Sequence, residues 1–366
     1  MIARVTIPGD AVRVRFDNGF GTGPLTIGAA YVGQRMRGAS LAPGSNRQLF
    51  FNRSAGATIP PGGSAMSDPV PMPVLAGQDL AVSLHIPQAK VRPSQHTSAQ
   101  VTSYITPDGG GNLAADETGK PFTGSTTSLF WVKAIDVQSS SATGAIVAFG
   151  DSITDGTCST LDAHDRWVDW LAARLVLDAD RRGARGAHKA VVNEGIGGNT
   201  VTREKLEPPP DSPPGLERID RDVFSHAGVT DVVLFMGTND IRRGASAAQV
   251  IAGTEELIKR VKARGLKVIG ATIIPRHNAP PAGTNTGWNA AKTATRQTVN
   301  EWIRSRAAFD GVLDFDRVVR DPGDPNLIYA PLDCDGIHPT PLGYFEMGRS
   351  VPLELFAGGP ARAPSR

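Results

Sequence analysis

Hydrophobic and polar positions divide the chain into two textures. In the first, Val12, Val14 and Phe16 alternate with Arg13, Arg15 and Asp17, and Leu80, Val82, Leu84 and Ile86 alternate with Ala81, Ser83 and His85. A period of two marks half-buried strands. Turn signals follow one another closely: Asn18-Gly19, Pro43-Gly44, the Pro60 to Gly63 run and the Pro107 to Gly111 run. No long helical period interrupts them, so residues 1–140 are expected to form a small all-β domain of jelly-roll or sandwich type. Leu129 to Val137 is its expected last strand, and Ser139 to Ser141 reads as a linker.

From Gly144 onward, strands alternate with helices. Ile146 to Phe149 is an apolar run that stops abruptly at Gly150-Asp151-Ser152, the pattern of a buried parallel strand. Further strands are expected at Ala190–Asn193, Thr230–Met236, Lys267–Ile274 and Val312–Phe315. Helical spacing links Trp167, Trp170, Leu171 and Leu175, then Leu216, Ile219, Val223 and Phe224. It recurs in Val250, Thr254, Leu257, Ile258 and Val261, in a helix that Ser246 can cap. Helices are also expected over Asn289–Phe309 and over Pro341–Phe356, the latter interrupted near Pro352. Residues 141–366 therefore predict an α/β domain: a five-stranded parallel sheet in three α/β/α layers, with the flavodoxin-like strand order 2-1-3-4-5.

Composition narrows the class. In 366 residues, 38 Lys and Arg stand against 36 Asp and Glu, and none of the basic residues form a stripe, which argues against a nucleic-acid partner. No stretch approaches the roughly 20 apolar residues of a membrane span. Met1 to Arg4 lacks signal-peptide character. Oligomeric state leaves no mark on the sequence.

The chemistry lies where the strands end, because ligands of open α/β sheets bind at the carboxyl rim. Strand one ends in Gly150-Asp151-Ser152, strand two in Gly195-Ile196-Gly197-Gly198-Asn199, and strand three in Gly237-Thr238-Asn239-Asp240. The loop after strand five carries Asp335-Gly336-Ile337-His338-Pro339. With these four blocks in this order, the sequence resembles the SGNH or GDSL-type hydrolases, a family of serine esterases and acylhydrolases. The likeness spans about residues 145–350. Residues 1–140 resemble the β-rich domain that precedes the catalytic domain in some bacterial members.

The resemblance implies a catalytic Ser152, a base in His338 and an orienting carboxylate in Asp335. It also implies oxyanion donors from the backbone of Ser152 and Gly198 and from the side-chain amide of Asn239. A serine hydroxyl needs such a base, and neutral Asn239 donates without adding a titrating charge. Asp333 competes with Asp335, but the family spacing Asp-x-x-His favours Asp335. Asp151 and Asp240 border the site and are expected chiefly to fix loop geometry. Asp151, Arg276, His277 and Trp288 are further candidates for contact with substrate; for His277 a plain loop role carries more weight, and for Trp288 a structural role carries equal weight. The proline-rich stretch from Pro208 to Gly215 is expected to be stiff and exposed.

The only cysteines, Cys158 and Cys334, sit in the loops of Ser152 and His338. Two readings stay open: a disulfide in an exported protein, or two buried thiols in a cytoplasmic one. Neither metal nor cofactor is expected. The function implied is hydrolysis of carboxylic esters, with short-chain, acetyl or carbohydrate-linked esters preferred as substrates. The alternatives are a lipase, phospholipase or thioesterase with a longer acyl pocket, and an inactive carbohydrate-binding protein.

Overall fold

The structure is a computed structural model and describes residues 1–183, 187–277, 287–305 and 307–357. Its fold divides into two compact units, Met1–Ala142 and Thr143–Arg366.

The first unit is antiparallel throughout. In one sheet Gly9–Asp17 lies between Val132–Gln138 on one side and Ser64–Met66 and Val70–Val74 on the other. In the other, Ala29–Arg37 pairs with Asp79–His85, which in turn pairs with Ile2–Arg4. Inward side chains of both sheets, among them Val12, Val14 and Phe16 from the first and Val32, Leu80 and Val82 from the second, share one core. That is a β-sandwich. Two expectations need correction. Leu129–Val137 is two strands, because Trp131 takes a left-handed turn (φ 57°) and sends Leu129–Phe130 to pair with Gln95–His96. Alternation also fails at Ala81, which is buried on the outer face by Ile2, Leu41 and Val101.

In the second unit the strands are β1 (Ala142–Gly150), β2 (His188–Gly195), β3 (Val229–Phe235), β4 (Lys267–Ala271) and β5 (Gly311–Leu313). Their order is β2-β1-β3-β4-β5, which is the expected 2-1-3-4-5; β1 with β3, β3 with β4, and β4 with β5 pair in parallel. Because successive side chains point to opposite faces, β1 serves two cores. Ile146 and Ala148 pack with Trp167, Leu171, Tyr344 and Met347. Val147 and Phe149 pack with Ile219, Leu257, Val261 and Val299. Helices α2 (Trp167–Arg181) and α8 (Pro341–Ser350) thus cover one face. The other is covered by α3 (Gly215–Ile219), α5 (Ala247–Ala263) and α6 (Ala290–Ser305).

Local chemistry sets the ends of these elements. Ser246 caps α5 by accepting from the Gln249 N–H while Gln249 bonds back, a capping box. Strand β4 stops three residues earlier than expected, because the side-chain oxygen of Asn300 takes the Ile273 N–H (2.8 Å) and draws the chain off the sheet. Helix α3 gives way after Ile219 to one wide turn over Asp220–Phe224. The last helix ends at Ser350 and resumes as a short turn at Leu353–Phe356, after Pro352.

Candidate active site

Ser152 opens the four-residue helix α1 (Ser152–Asp155) directly after β1. Asp151 caps that turn by accepting the Ile153 N–H at 3.0 Å, and Gly156 ends it in the left-handed region. The serine is therefore fixed on a tight strand-to-helix corner. A side chain at Gly195 would collide with the backbone N of Asp155 at 2.1 Å, so β2 can reach this corner only with glycine there.

His338 reaches Ser152 from the loop that precedes α8. Its Nε2 lies 2.9 Å from the Ser152 Oγ, and its Nδ1 lies 2.8 Å from an Asp335 carboxylate oxygen. A carboxylate only accepts, so the proton sits on Nδ1 and Nε2 is left to accept from the serine hydroxyl. The other Asp335 oxygen takes the N–H groups of Ile337 and His338, which folds the loop back on itself. Burial pushes the Asp335 carboxyl up. The hydrogen bond and charge of His338 and these two N–H groups outweigh it and hold the group below the usual carboxylate range. Asp333 instead accepts the Gly336 N–H at 2.7 Å, so the structure places Asp335 against the ring and Asp333 under the turn.

The second block bends at Gly198, whose φ of 72° favours glycine. Beside it, Asn239 donates one amide proton to the Asn199 carbonyl at 3.1 Å. Asp240 clamps the same loop through the N–H groups of Val201 and Thr202. Burial drives both loop-fixing carboxyls up despite their N–H donors: Asp151 to about 6 and Asp240 to about 7.

The remaining candidates fall differently. Trp288 is only 2 % exposed, donates to Thr293 and belongs to the core, so it offers a ligand almost no surface. Asp151 is equally enclosed by its capping role. His277 braces the histidine loop, giving its N–H to Gly336 and taking that of Ile328 on Nε2. Arg276 is buried against the Trp288 ring at 5.3 Å, close enough to Asp151 and Asp335 to feel both charges. The Pro208 to Gly215 loop is held by Arg243, which donates to the carbonyls of Pro208 and Pro209, and only part of it is exposed, since Pro210 and Pro214 are buried.

Cys158 and Cys334 are joined by a disulfide that ties the Ser152 loop to the His338 loop. The Cys158 sulfur, an Asp335 oxygen and a His338 nitrogen lie within 4.8 Å of one another. A disulfide sulfur is a poor metal ligand, so this grouping reads as a tether beside the histidine.

Sequence reasoning passed over Arg218. Fully enclosed, it donates to the carbonyls of Gly150 and Glu194 and to the side chains of Asn199 and Asp222, and it stacks on Phe149. It thereby pins the first block to the second. Its one signal in the sequence is the i, i+4 spacing to Asp222, which usually marks a solvated helix face.

The profile of the GDSL-like Lipase/Acylhydrolase family matches residues 148–344, just over half of the chain. The chain belongs to this family. This GDSL hydrolase is accordingly a carboxylic ester hydrolase. Comparison with curated proteins gives no match. Among solved structures, it is similar to a carbohydrate acetylesterase from Sinorhizobium meliloti (17 % identity, 57 % of this chain and 95 % of that one, TM-score 0.44). An aryl esterase from M. smegmatis is similar at 19 % identity, over 57 % of this chain and 95 % of that one, with a TM-score of 0.44. A GDSL-like lipase from Bacteroides thetaiotaomicron shares 20 % identity over 58 % and 88 %, with a TM-score of 0.41.

Proposed function

We propose that this GDSL hydrolase cleaves short-chain acyl or acetyl esters, including carbohydrate-linked ones, through an acyl-enzyme on Ser152. The Ser152 hydroxyl attacks the ester carbonyl carbon as His338 Nε2 takes its proton, and Asp335 stabilises the imidazolium. The carbonyl oxygen, now negative, is met by the N–H groups of Ser152 and Gly198 and by the Asn239 amide proton that Asn199 does not use. Collapse breaks the bond to the alcohol, which leaves with the proton from His338. Water then attacks the acyl group with His338 again as base; the acid departs and the proton returns to Ser152.

The observation that carries this reading is the continuous chain from Ser152 Oγ through His338 (2.9 Å) to Asp335 (2.8 Å). A preference for short acyl groups is supported by the burial of the large apolar side chains after β4, Ile273, Ile274 and Trp288, each 2 % exposed or less. The test is a series of acyl esters of increasing chain length and a set of acetylated sugars, with Ser152→Ala as the blank. Activity that peaks on acetyl to butyryl esters and vanishes in the blank is expected; a peak at long chains would overturn the short-acyl preference.

A further inference from the structure

Helix α4 (Thr238–Arg242) carries Asn239 in its first turn and is closed by Arg243, whose N–H donates to the Asn239 carbonyl at 3.1 Å. The side chain of Arg243 is only 5 % exposed. Its Nη1 donates to the carbonyls of Pro208 (2.7 Å) and Pro209 (2.6 Å), while its own carbonyl accepts the Glu207 N–H (2.9 Å). Clamped at this corner, the planar guanidinium has a fixed direction.

Its other nitrogens are not used up. Nε is buried without a partner, and among the described residues Nη2 gives no hydrogen bond. The only described carboxylate within reach, Asp211, lies 4.0 Å from Nη2 on a fully exposed side chain. Nη2 lies beside the oxyanion loop. Apart from its chain neighbours, a Cβ built on Gly198 would meet a single described atom within 4 Å, and that atom is Arg243 Nη2. The free side of Gly198 therefore opens on space that this nitrogen borders. Burying a cation costs a desolvation that two carbonyls and a distant, solvated carboxylate offset only in part. An anion entering beside Gly198 would complete the pairing with a charge-assisted hydrogen bond.

We infer that Arg243 is a specificity-determining residue whose Nη2 donates to a carboxylate of the ester substrate, next to the oxyanion pocket. The inference rests on the catalytic reading above and deepens it, because it adds a negative charge to the expected short ester. The carboxylate can belong to the acyl part or to the alcohol part, and both present the same chemistry to Nη2.

Two pairs of substrates separate these cases. In monoethyl succinate against ethyl butyrate a carboxylate replaces the terminal methyl of the acyl part. In para-acetoxybenzoate against para-acetoxybenzamide it replaces an amide on the alcohol part. The readout is the charged-to-neutral ratio of kcat/KM, compared between proteins so that the intrinsic reactivities of the esters cancel. Arg243→Gln is expected to lower that ratio by about tenfold or more in at least one pair, the loss that a hydrogen bond to a charged group implies. Arg243→Lys, which keeps the charge, should lower it less. A purely structural role, as the clamp of Pro208 and Pro209, would slow both members of a pair alike and leave the ratio where it was. Asp211→Asn removes the competing carboxylate without touching the clamp, and should raise the ratio by about two- to fivefold. A ratio that Arg243→Gln leaves unmoved in both pairs overturns the assignment while the esterase reading stands; if that variant does not fold, an unmoved ratio in Asp211→Asn overturns it equally. Failure of the unmodified protein to hydrolyse any of the four esters removes both readings.

Discussion

Ser152 Oγ and His338 Nε2 stand 2.9 Å apart, although 186 residues separate them in the chain. The contact joins the end of β1 to the loop before α8. Ser152→Ala should therefore cost on the order of 10⁶-fold in kcat, as loss of the nucleophile does in a well-studied serine hydrolase. A fluorophosphonate probe should label the unmodified protein at Ser152 and leave the variant unlabelled. Near-normal turnover in purified Ser152→Ala protein would falsify the nucleophile assignment.

Asp333 and Asp335 lie two residues apart and do different work, one accepting the Gly336 N–H and the other the imidazole. Asp335→Asn offers His338 an amide where a carboxylate held the Nδ1 proton, which favours the wrong tautomer. The expected loss is about 10⁴-fold in kcat, by analogy with the triad of serine proteases. Asp333→Asn keeps an acceptor for Gly336 and should stay within about tenfold of the unmodified rate. Equal losses in the two variants would show that the spacing argument chose wrongly.

Asn239 uses one amide proton on the Asn199 carbonyl, and the proposed mechanism assigns the other to the oxyanion. Removing one such donor typically costs about 10²- to 10³-fold in turnover. Asn239→Ala should accordingly leave a measurable rate well above that of Ser152→Ala, with KM little changed, because the donor acts mainly when charge develops on the oxygen. A loss that appears in KM alone would move Asn239 from transition-state stabilisation to ground-state binding.

How much of this was legible in the sequence depends on the range of the forces involved. The apolar run from Ile146 to Phe149 and the short blocks at the strand ends are local signals, and they led to the strand order and to Ser152, Asn239 and His338. Features fixed by distant partners were not legible. The early end of β4 depends on the side chain of Asn300, 27 residues away from Ile273. The break at Trp131 depends on two strand segments finding different partners. Arg218 looks like half of a surface ion pair, and only the folded chain reveals four elements converging on it. For Trp288 the sequence left a pocket wall and a structural role equally open, and the residue packs inward.

Asp240 carries a pH signature. Burial lifts its carboxyl to about 7, so the folded chain holds that proton where the unfolded chain, near the usual pKa of about 3.9, has released it. Between roughly pH 4 and 7 the folded state therefore binds more protons, and stability falls as pH rises through this window. Asp151 acts in the same direction up to about 6. Asp335, whose pKa is held down, acts oppositely and only at lower pH. Asp240→Asn removes the titration and keeps an acceptor for Val201 or Thr202. Denaturant midpoints of the second unit should thus fall less between pH 5 and 8 in the variant than in the unmodified chain. Parallel curves would mean that Asp240 stays ionised in the folded protein.

The Cys158–Cys334 disulfide links the loop after α1 to the loop that carries Asp335 and His338, closing 176 residues of chain. Two consequences separate by measurement. For stability, a cross-link of that span is worth on the order of 2–5 kcal/mol through the unfolded state. For catalysis, Cys158 holds a left-handed backbone (φ 70°) just past the helix of Ser152, and Cys334 donates its N–H to the His338 carbonyl. Freed of the tether, both loops keep other ties, since Tyr344 donates to the Thr157 carbonyl at 2.6 Å and Asp335 still folds its own turn. The double variant Cys158→Ser, Cys334→Ser should then lose thermal stability clearly while retaining kcat within about tenfold at moderate temperature. A collapse of kcat with the fold intact by circular dichroism would instead make the disulfide part of the positioning of His338, because the remaining hydrogen bonds would have proved too weak to hold the 2.9 Å contact with Ser152.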